Sequence, residues 1–297
     1  MQVAKKLQAY EVAAEPVPQV LAPPKPRRLR HRAVLALTAL LVVVMVFGLR
    51  AYGVDPLEQK LAARLAPPWS EKAGQFYPLG TDAHGRDLLA RTLSGMRVSL
   101  MIGLLSVLCG AVVGVTLGLV AGHFGGRADR GIMLLVDVQL SIPFLLLALI
   151  LSAILGAGIR NTIIALTLTS WIVYARVARA ETLVLRGSDF VQAARALGAT
   201  DSRIMARHML PNIASTVIVI GTLEVGRMIL TEAALSFLGL GVPPPAASLG
   251  RMVAQGQPYV FNAWWFATIP GCAILLMVLL VVFLGDVVRE RLEPRAR

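Results

Sequence analysis

Gly187-Ser-Asp-Phe-Val-Gln-Ala-Ala-Arg-Ala-Leu-Gly-Ala-Thr-Asp-Ser-Arg-Ile-Met-Ala-Arg-His-Met-Leu-Pro-Asn212 is a polar stretch inside a loop of about 35 residues, in a chain that is otherwise mostly apolar. A loop of this length costs little to close but needs a reason to be folded. Its residues supply local structure. With Asp189 as N-cap, Gln192 falls at the third helical position, so Asp-x-x-Gln approximates a capping box. Ala193, Ala194 and Ala196 are small and favour helix. Gly198 suits a helix end that needs positive φ. Thr200 or Asp201 can cap a second short helix carrying Arg203 and Arg207. Leu210-Pro211 closes the unit, with Pro211 in the first turn of the next apolar segment. The expected object is a helix–turn–helix knob fixed to two neighbouring apolar segments. Such a knob can pass force from a soluble motor. The competing reading is a surface amphipathic helix with no partner.

On either side of this loop the chain is apolar. The apolar share is 56% and the mean hydropathy +0.69, too high for an ordinary soluble domain. Six blocks are long enough to cross about 30 Å of hydrocarbon. They cover residues 33–50, 98–121, 132–155, 159–177, 213–235 and 265–288. The fifth is the weakest, because Glu224, Arg227 and Glu232 interrupt it. The first reads as a span and not a cleavable leader, since 32 residues precede it and no small-residue cleavage site comes after it. Net charge is +12, and its distribution explains it without nucleic acid. With both termini in the cytoplasm, 19 Lys and Arg lie on the cytoplasmic side and 9 outside. Short loops and flanks then obey the positive-inside rule. Cys109 and Cys272 lie inside spans and read as small packing residues.

The chain is therefore expected to be an all-α membrane protein with six transmembrane helices. It divides into a basic, Pro-rich cytoplasmic tail (1–32), a first transmembrane helix (33–52), an extracytoplasmic segment (53–97), a five-helix core (98–288) that contains the loop 181–211, and a cytoplasmic tail (289–297). Gly110, Gly114, Gly118 and Gly122 recur every four residues and make one helix stripe that lets a neighbour approach closely. Asp137 precedes Pro143 in the third span, where a kink is expected and the carboxylate should face protein or water. Glu224 and Arg227 are three apart, on one helix face. A lone charge at a span centre costs roughly 2.5–3.5 kcal/mol, which a mutual pair or a water-filled path relieves. This face, with Glu232, is the candidate pathway or subunit contact.

Catalytic signatures are missing. There is no phosphate-cradling G-x-x-x-x-G-K-[ST], no G-x-S-x-G and no H-E-x-x-H. His31, His84, His123 and His208 show no metal-ligand spacing. No catalytic residue and no metal site is expected.

The loop resembles the EAA motif by which membrane subunits of bacterial ABC importers dock on their ATPase, E-A-A-x-x-x-G followed by I-x-L-P. Ala193, Ala194, Gly198, Leu210 and Pro211 match it, while Gln192 replaces the Glu and His208 the Ile. Pro78-Leu-Gly-Thr-Asp-Ala-His-Gly-Arg-Asp87, leading into Ser94-Gly-Met-Arg-Val-Ser-Leu100, resembles the segment before span two in the C-type permeases of dipeptide and oligopeptide importers. Glu232-Ala-Ala-Leu-Ser-Phe-Leu-Gly-Leu-Gly-Val-Pro-Pro-Pro245 is similar too, as is the end of the chain from Pro270-Gly271 to Pro294-Arg295. The resemblance covers roughly residues 30–295. It implies a type I ABC importer permease fold in the bacterial inner membrane. It implies a B-type permease partner, two ATPase subunits or domains, and an extracytoplasmic substrate-binding protein. ATP and Mg²⁺ would belong to the ATPases, with no cofactor in this chain. The docking residues would be Asp189, Gln192, Ala193, Ala194, Gly198, Asp201, Arg203, Leu210 and Pro211. Thr81, Asp82, Arg86 and Asp87 are candidates for binding-protein contact, or else turn and cap chemistry. Di- and oligopeptides are the leading cargo. Nickel chelates, haem and glutathione are alternatives within the same architecture, and a secondary transporter is the weaker reading, as no inverted repeat is visible.

Overall fold

The computed structural model describes residues 35–292, apart from 40–42, 45–46 and 49. The tail 1–32 and the end of the chain from 293 lie outside the described residues. Helix α1 covers the described positions between 35 and 52. A short β-hairpin comes next, β1 (Ser70–Lys72) pairing antiparallel with β2 (Gln75–Tyr77). Its two-residue turn, Ala73-Gly74, has both residues at positive φ, 51° and 72°, as a tight hairpin requires. The all-helical expectation misses this hairpin. Three-residue strands are too short to leave a periodic signal.

Helix α2 (Leu88–Phe124) is 37 residues long and starts ten residues before the expected span. Helix α3 (Gly126–Leu140) and helix α4 (Phe144–Leu155) come from the expected third span. They are not one kinked helix: the chain bends 91° between them. Pro143 sits at the break as N-cap of α4, where its missing N–H costs nothing. Helix α5 (Ile159–Arg186) leads into the loop helix α6 (Asp189–Ala196). Helix α7 (Asp201–Ile204) continues through a π-helical turn (Met205–Met209) into α8 (Leu210–Phe237). Helix α9 (Leu249–Gly256) is short, and α10 (Trp265–Leu292) closes the fold. Among the described residues four helices are long and apolar enough to cross a membrane, or five if the bent α3–α4 pair is one span.

The bundle is built on α2. Gly110, Gly114, Gly118 and Gly122 face α5: a Cβ on Gly114 would run into the Trp171 carbonyl, and those on Gly118 and Gly122 would lie 2.7 Å from the Ala178 and Thr182 Cβ atoms. The stripe is therefore packing within the chain. The opposite face of α2 exposes Leu104, Leu108 and Val112, one turn apart. Helix α8 packs on α2, α5 and α10, and the core joins Ile102, Tyr174, Met228, Ile229 and Met277. Apolar side chains thus fill the inside and cover much of the outside, which suits lipid as the surrounding solvent.

Candidate docking site and membrane charges

The loop between α5 and α8 folds as a helical hairpin. Helix α6 is capped by Ser188, not Asp189, which is its first helical residue. Gln192 does not close a capping box either. Its Nε2 donates to the Gly187 carbonyl at 3.1 Å, because the helix starts one residue earlier than the capping box requires. Gly198 has φ +80°. Its N–H donates to Arg195 O and that of Ala199 to Ala194 O, both at 3.0 Å. This double closure is a Schellman motif, and it fixes the sharp turn. Thr200 takes the N-cap position of α7 without a capping hydrogen bond from its side chain.

The second helix does not end at Leu210-Pro211. It runs on as one helix from Asp201 to Phe237. The Leu210 N–H reaches back five residues to Met205 O. This wide turn leaves room for the Pro211 ring, which would press on the carbonyl four residues back in a regular helix. The hairpin is anchored underneath by Val191, Ile204 and Met209, all buried in the main core. Its tip is exposed, with Leu197 88% accessible. Arg195 and Arg203 lie on this element, and Arg195 approaches Asp201 at 3.8 Å.

One contact ties the hairpin to the bundle sideways. His123 Nε2, at the end of α2, lies 2.8 Å from Asp201 Oδ1. His123, Phe124, Arg186, Arg195, Thr200 and Asp201 line an open cleft of about 420 Å³ there. Sequence spacing could not show this pair, since its members are 78 residues apart.

In the apolar stretch of α8, Glu224 and Arg227 pair with each other. Glu224 Oε2 accepts from Arg227 Nε at 3.0 Å and Nη2 at 2.6 Å. The Arg227 guanidinium lies 4.1 Å above the Phe144 ring. Glu232 is fully buried and accepts hydroxyls from Ser99 (2.6 Å), Ser236 (2.7 Å) and Ser248 (3.2 Å). It therefore joins α2, α8 and the start of α9, and is not placed on an open path in this conformation. Asp137 is exposed and pairs with Arg176 at 2.7 Å. Asp129 pairs with Arg179 through two hydrogen bonds.

The Thr81–Asp87 segment is a hydrogen-bonded turn ahead of α2. Thr81 and Asp82 are fully buried, which takes both out of the set of exposed contact residues. The Thr81 hydroxyl accepts from Ala66 N–H and donates to Ala63 O. Asp82 accepts from the His84 and Arg86 N–H groups and pairs with Arg86 at 2.6 Å and Arg91 at 3.4 Å. The N-cap of α2 is Asp87, which accepts from Ala90 N–H at 2.8 Å and from the Tyr52 hydroxyl at 2.8 Å. Burial pushes the Asp87 carboxyl above the usual carboxylate range, against the opposing pull of those hydrogen bonds. Burial, helped by the nearby Asp87 charge, raises the Tyr77 phenol too. Gly85, at φ +71°, turns where a Cβ would collide with the Lys60 carbonyl.

A family model for the inner membrane component of binding-protein-dependent transport systems matches residues 114–297. The chain belongs to this family. It is a permease of the dipeptide/oligopeptide C type by its relatives. The di/tripeptide transport permease DppC of Pseudomonas aeruginosa is 42% identical over 87% of this chain and 86% of its own length. The probable D,D-dipeptide transport permease DdpC of Escherichia coli is 39% identical over 86% and 85%. The glutathione transport permease GsiD of Pectobacterium atrosepticum is 42% identical over 74% and 73%. The fold matches that of a chain of the inward-facing MetNI methionine ABC transporter, with a TM-score of 0.57 at 22% identity over 68% of this chain and 96% of that one. The permease thus has the type I ABC importer fold and is a multi-pass membrane protein.

Sequence reasoning also missed two groups beside the membrane charges. Phe144 carries no signal of its role because it sits beyond the α3–α4 break. Tyr174 has a buried hydroxyl with no hydrogen-bond partner among the described residues, and nothing in its apolar neighbourhood marks it in the sequence.

Proposed function

We propose that this permease forms half of the translocation pathway of an ATP-driven importer of short peptides in the bacterial inner membrane, and that residues 187–211 couple it to cytoplasmic ATPases. The partners in this reading are a homologous B-type permease, two ATPase subunits or domains that hold ATP and Mg²⁺, and an extracytoplasmic binding protein. Both termini lie in the cytoplasm. The observation that carries the coupling role is the unbroken helix from Asp201 to Phe237, which joins the exposed hairpin to the membrane charges. A push on the Leu197 tip moves α8 as a rod. Peptide cargo rests on the relatives' names, and glutathione, itself a γ-linked tripeptide, falls in the same chemical class.

The test is ATP hydrolysis by the reconstituted complex, stimulated by peptide-loaded binding protein. Leu197→Asp places a charge on an exposed tip and should not disturb the fold. It is expected to cut stimulation at least tenfold while the subunits still co-purify. Full stimulation in this variant would remove the hairpin from the coupling role.

A further inference from the structure

We propose that Glu224, Arg227 and Tyr174 form a transient binding site for the charged termini of a peptide halfway through the membrane, an inference that rests on the peptide reading above. Four observations carry it. Glu224 and Arg227 lie at the centre of the 213–235 apolar stretch, where charge is most expensive. The pair is open on the Arg227 side, whose side chain is 37% exposed, while Glu224 is buried beneath it. Exposure to lipid at this depth is costly, so the open side of Arg227 faces protein or water. Both Arg227 hydrogen bonds fall on one oxygen, Glu224 Oε2, and none to Oε1 is made among the described residues. Finally, the Tyr174 hydroxyl points at this same face of α8. It lies 3.7 Å from where a Cβ of Gly221 would sit, one turn before Glu224, and it is buried without a partner among the described residues. An unpaired buried hydroxyl is costly, and a pathway that polar cargo crosses explains its retention.

The chemistry matches a zwitterion. A guanidinium takes a carboxylate through two parallel N–H donors, and Phe144 beneath it holds the plane while leaving its edge free. The Glu224 carboxylate takes an ammonium, and Tyr174 can accept from it. With no cargo the two side chains neutralise each other. With cargo the internal pair opens and each charge finds its counterpart on the peptide, so no charge is left unpaired in the membrane. The exchange of one pair for two keeps binding weak enough to release.

The experiment uses the full complex in proteoliposomes with tri-alanine as cargo, and reads peptide taken up per ATP hydrolysed. Glu224→Gln and Arg227→Gln should each lower that ratio about tenfold. The double variant Glu224→Gln/Arg227→Gln carries no unpaired charge and so guards against misfolding. It should stay as low as the single variants. If the double variant recovers the wild-type ratio, the pair is only a structural ion pair and the proposal fails. It fails equally if the single variants move peptide as the wild type does. Absence of tri-alanine uptake by the wild type would instead overturn the peptide reading, and this site with it.

Discussion

Gly198 turns the hairpin at φ +80°, a conformation that costs most residues with a Cβ about 1–2 kcal/mol. No atom would meet a Cβ there, so backbone conformation alone sets the penalty. Asn tolerates this region and Val does not. Gly198→Asn is expected to keep most of the stimulated ATP hydrolysis, and Gly198→Val to lose most of it. Equal activity of the two variants would show that the turn geometry is irrelevant. Glu232 makes a different prediction. Its removal leaves three buried serine hydroxyls without an acceptor, at about 1–3 kcal/mol for each group left unsatisfied. Glu232→Ala should lower the melting temperature of the purified complex clearly more than Glu232→Gln does. Among single residues the sequence was legible for Gly198 and for the shared helix face of Glu224 and Arg227, while spacing alone left open whether those two pair. It was misleading for Asp189 and Gln192, where a one-residue shift in helix start changes which group caps. It was silent on His123 and Tyr174, whose surroundings come from other helices.

Between elements, the tightest join is α2 on α5 along the glycine stripe. Gly114→Leu would drive a side chain into the Trp171 carbonyl and the Tyr174 Cβ, an overpacking that costs at least about 1–3 kcal/mol. The variant should fail to yield monodisperse protein in detergent. Gly271→Ala, with no atom within 4 Å of its Cβ, should behave as wild type or slightly better. A monodisperse Gly114→Leu protein with wild-type melting would rule out the close join. The His123–Asp201 contact is the second join, and Asp201 is half exposed. Its worth in stability is therefore small. If it transmits motion, Asp201→Asn lowers stimulated hydrolysis several-fold with little change in melting. Parallel loss of both would make it a stability contact only. The glycine period announced the first join in the sequence. The α3–α4 break was read as a mere kink, since Pro143 marks a fault without giving its angle.

For the whole molecule, the apolar blocks gave a helix layout that the bundle largely follows. Four long helices and one bent pair appear where five of the blocks lie, and the first block is only partly described. In segment 53–97 the turn and cap chemistry of Asp82 and Gly85 was legible, but the hairpin and the burial of Asp82 were not, because they have no periodicity and depend on contacts between turns. The asymmetry of Lys and Arg predicts that reporter fusions at either end of the chain are active only in the cytoplasm. A reporter inserted after Gly74, at the hairpin turn, should be active only outside. Everything proposed about coupling depends on the 187–211 hairpin seating on the ATPase. A photo-crosslinking amino acid at Leu197 in the assembled complex, with the captured partner identified by mass spectrometry, reads that seating without an intermediate step. A seated hairpin gives a crosslink to the nucleotide-hydrolysing subunit whose yield changes when ATP is bound. Capture of only lipid or the partner permease, with no ATPase crosslink in any nucleotide state, would mean that the hairpin does not dock there.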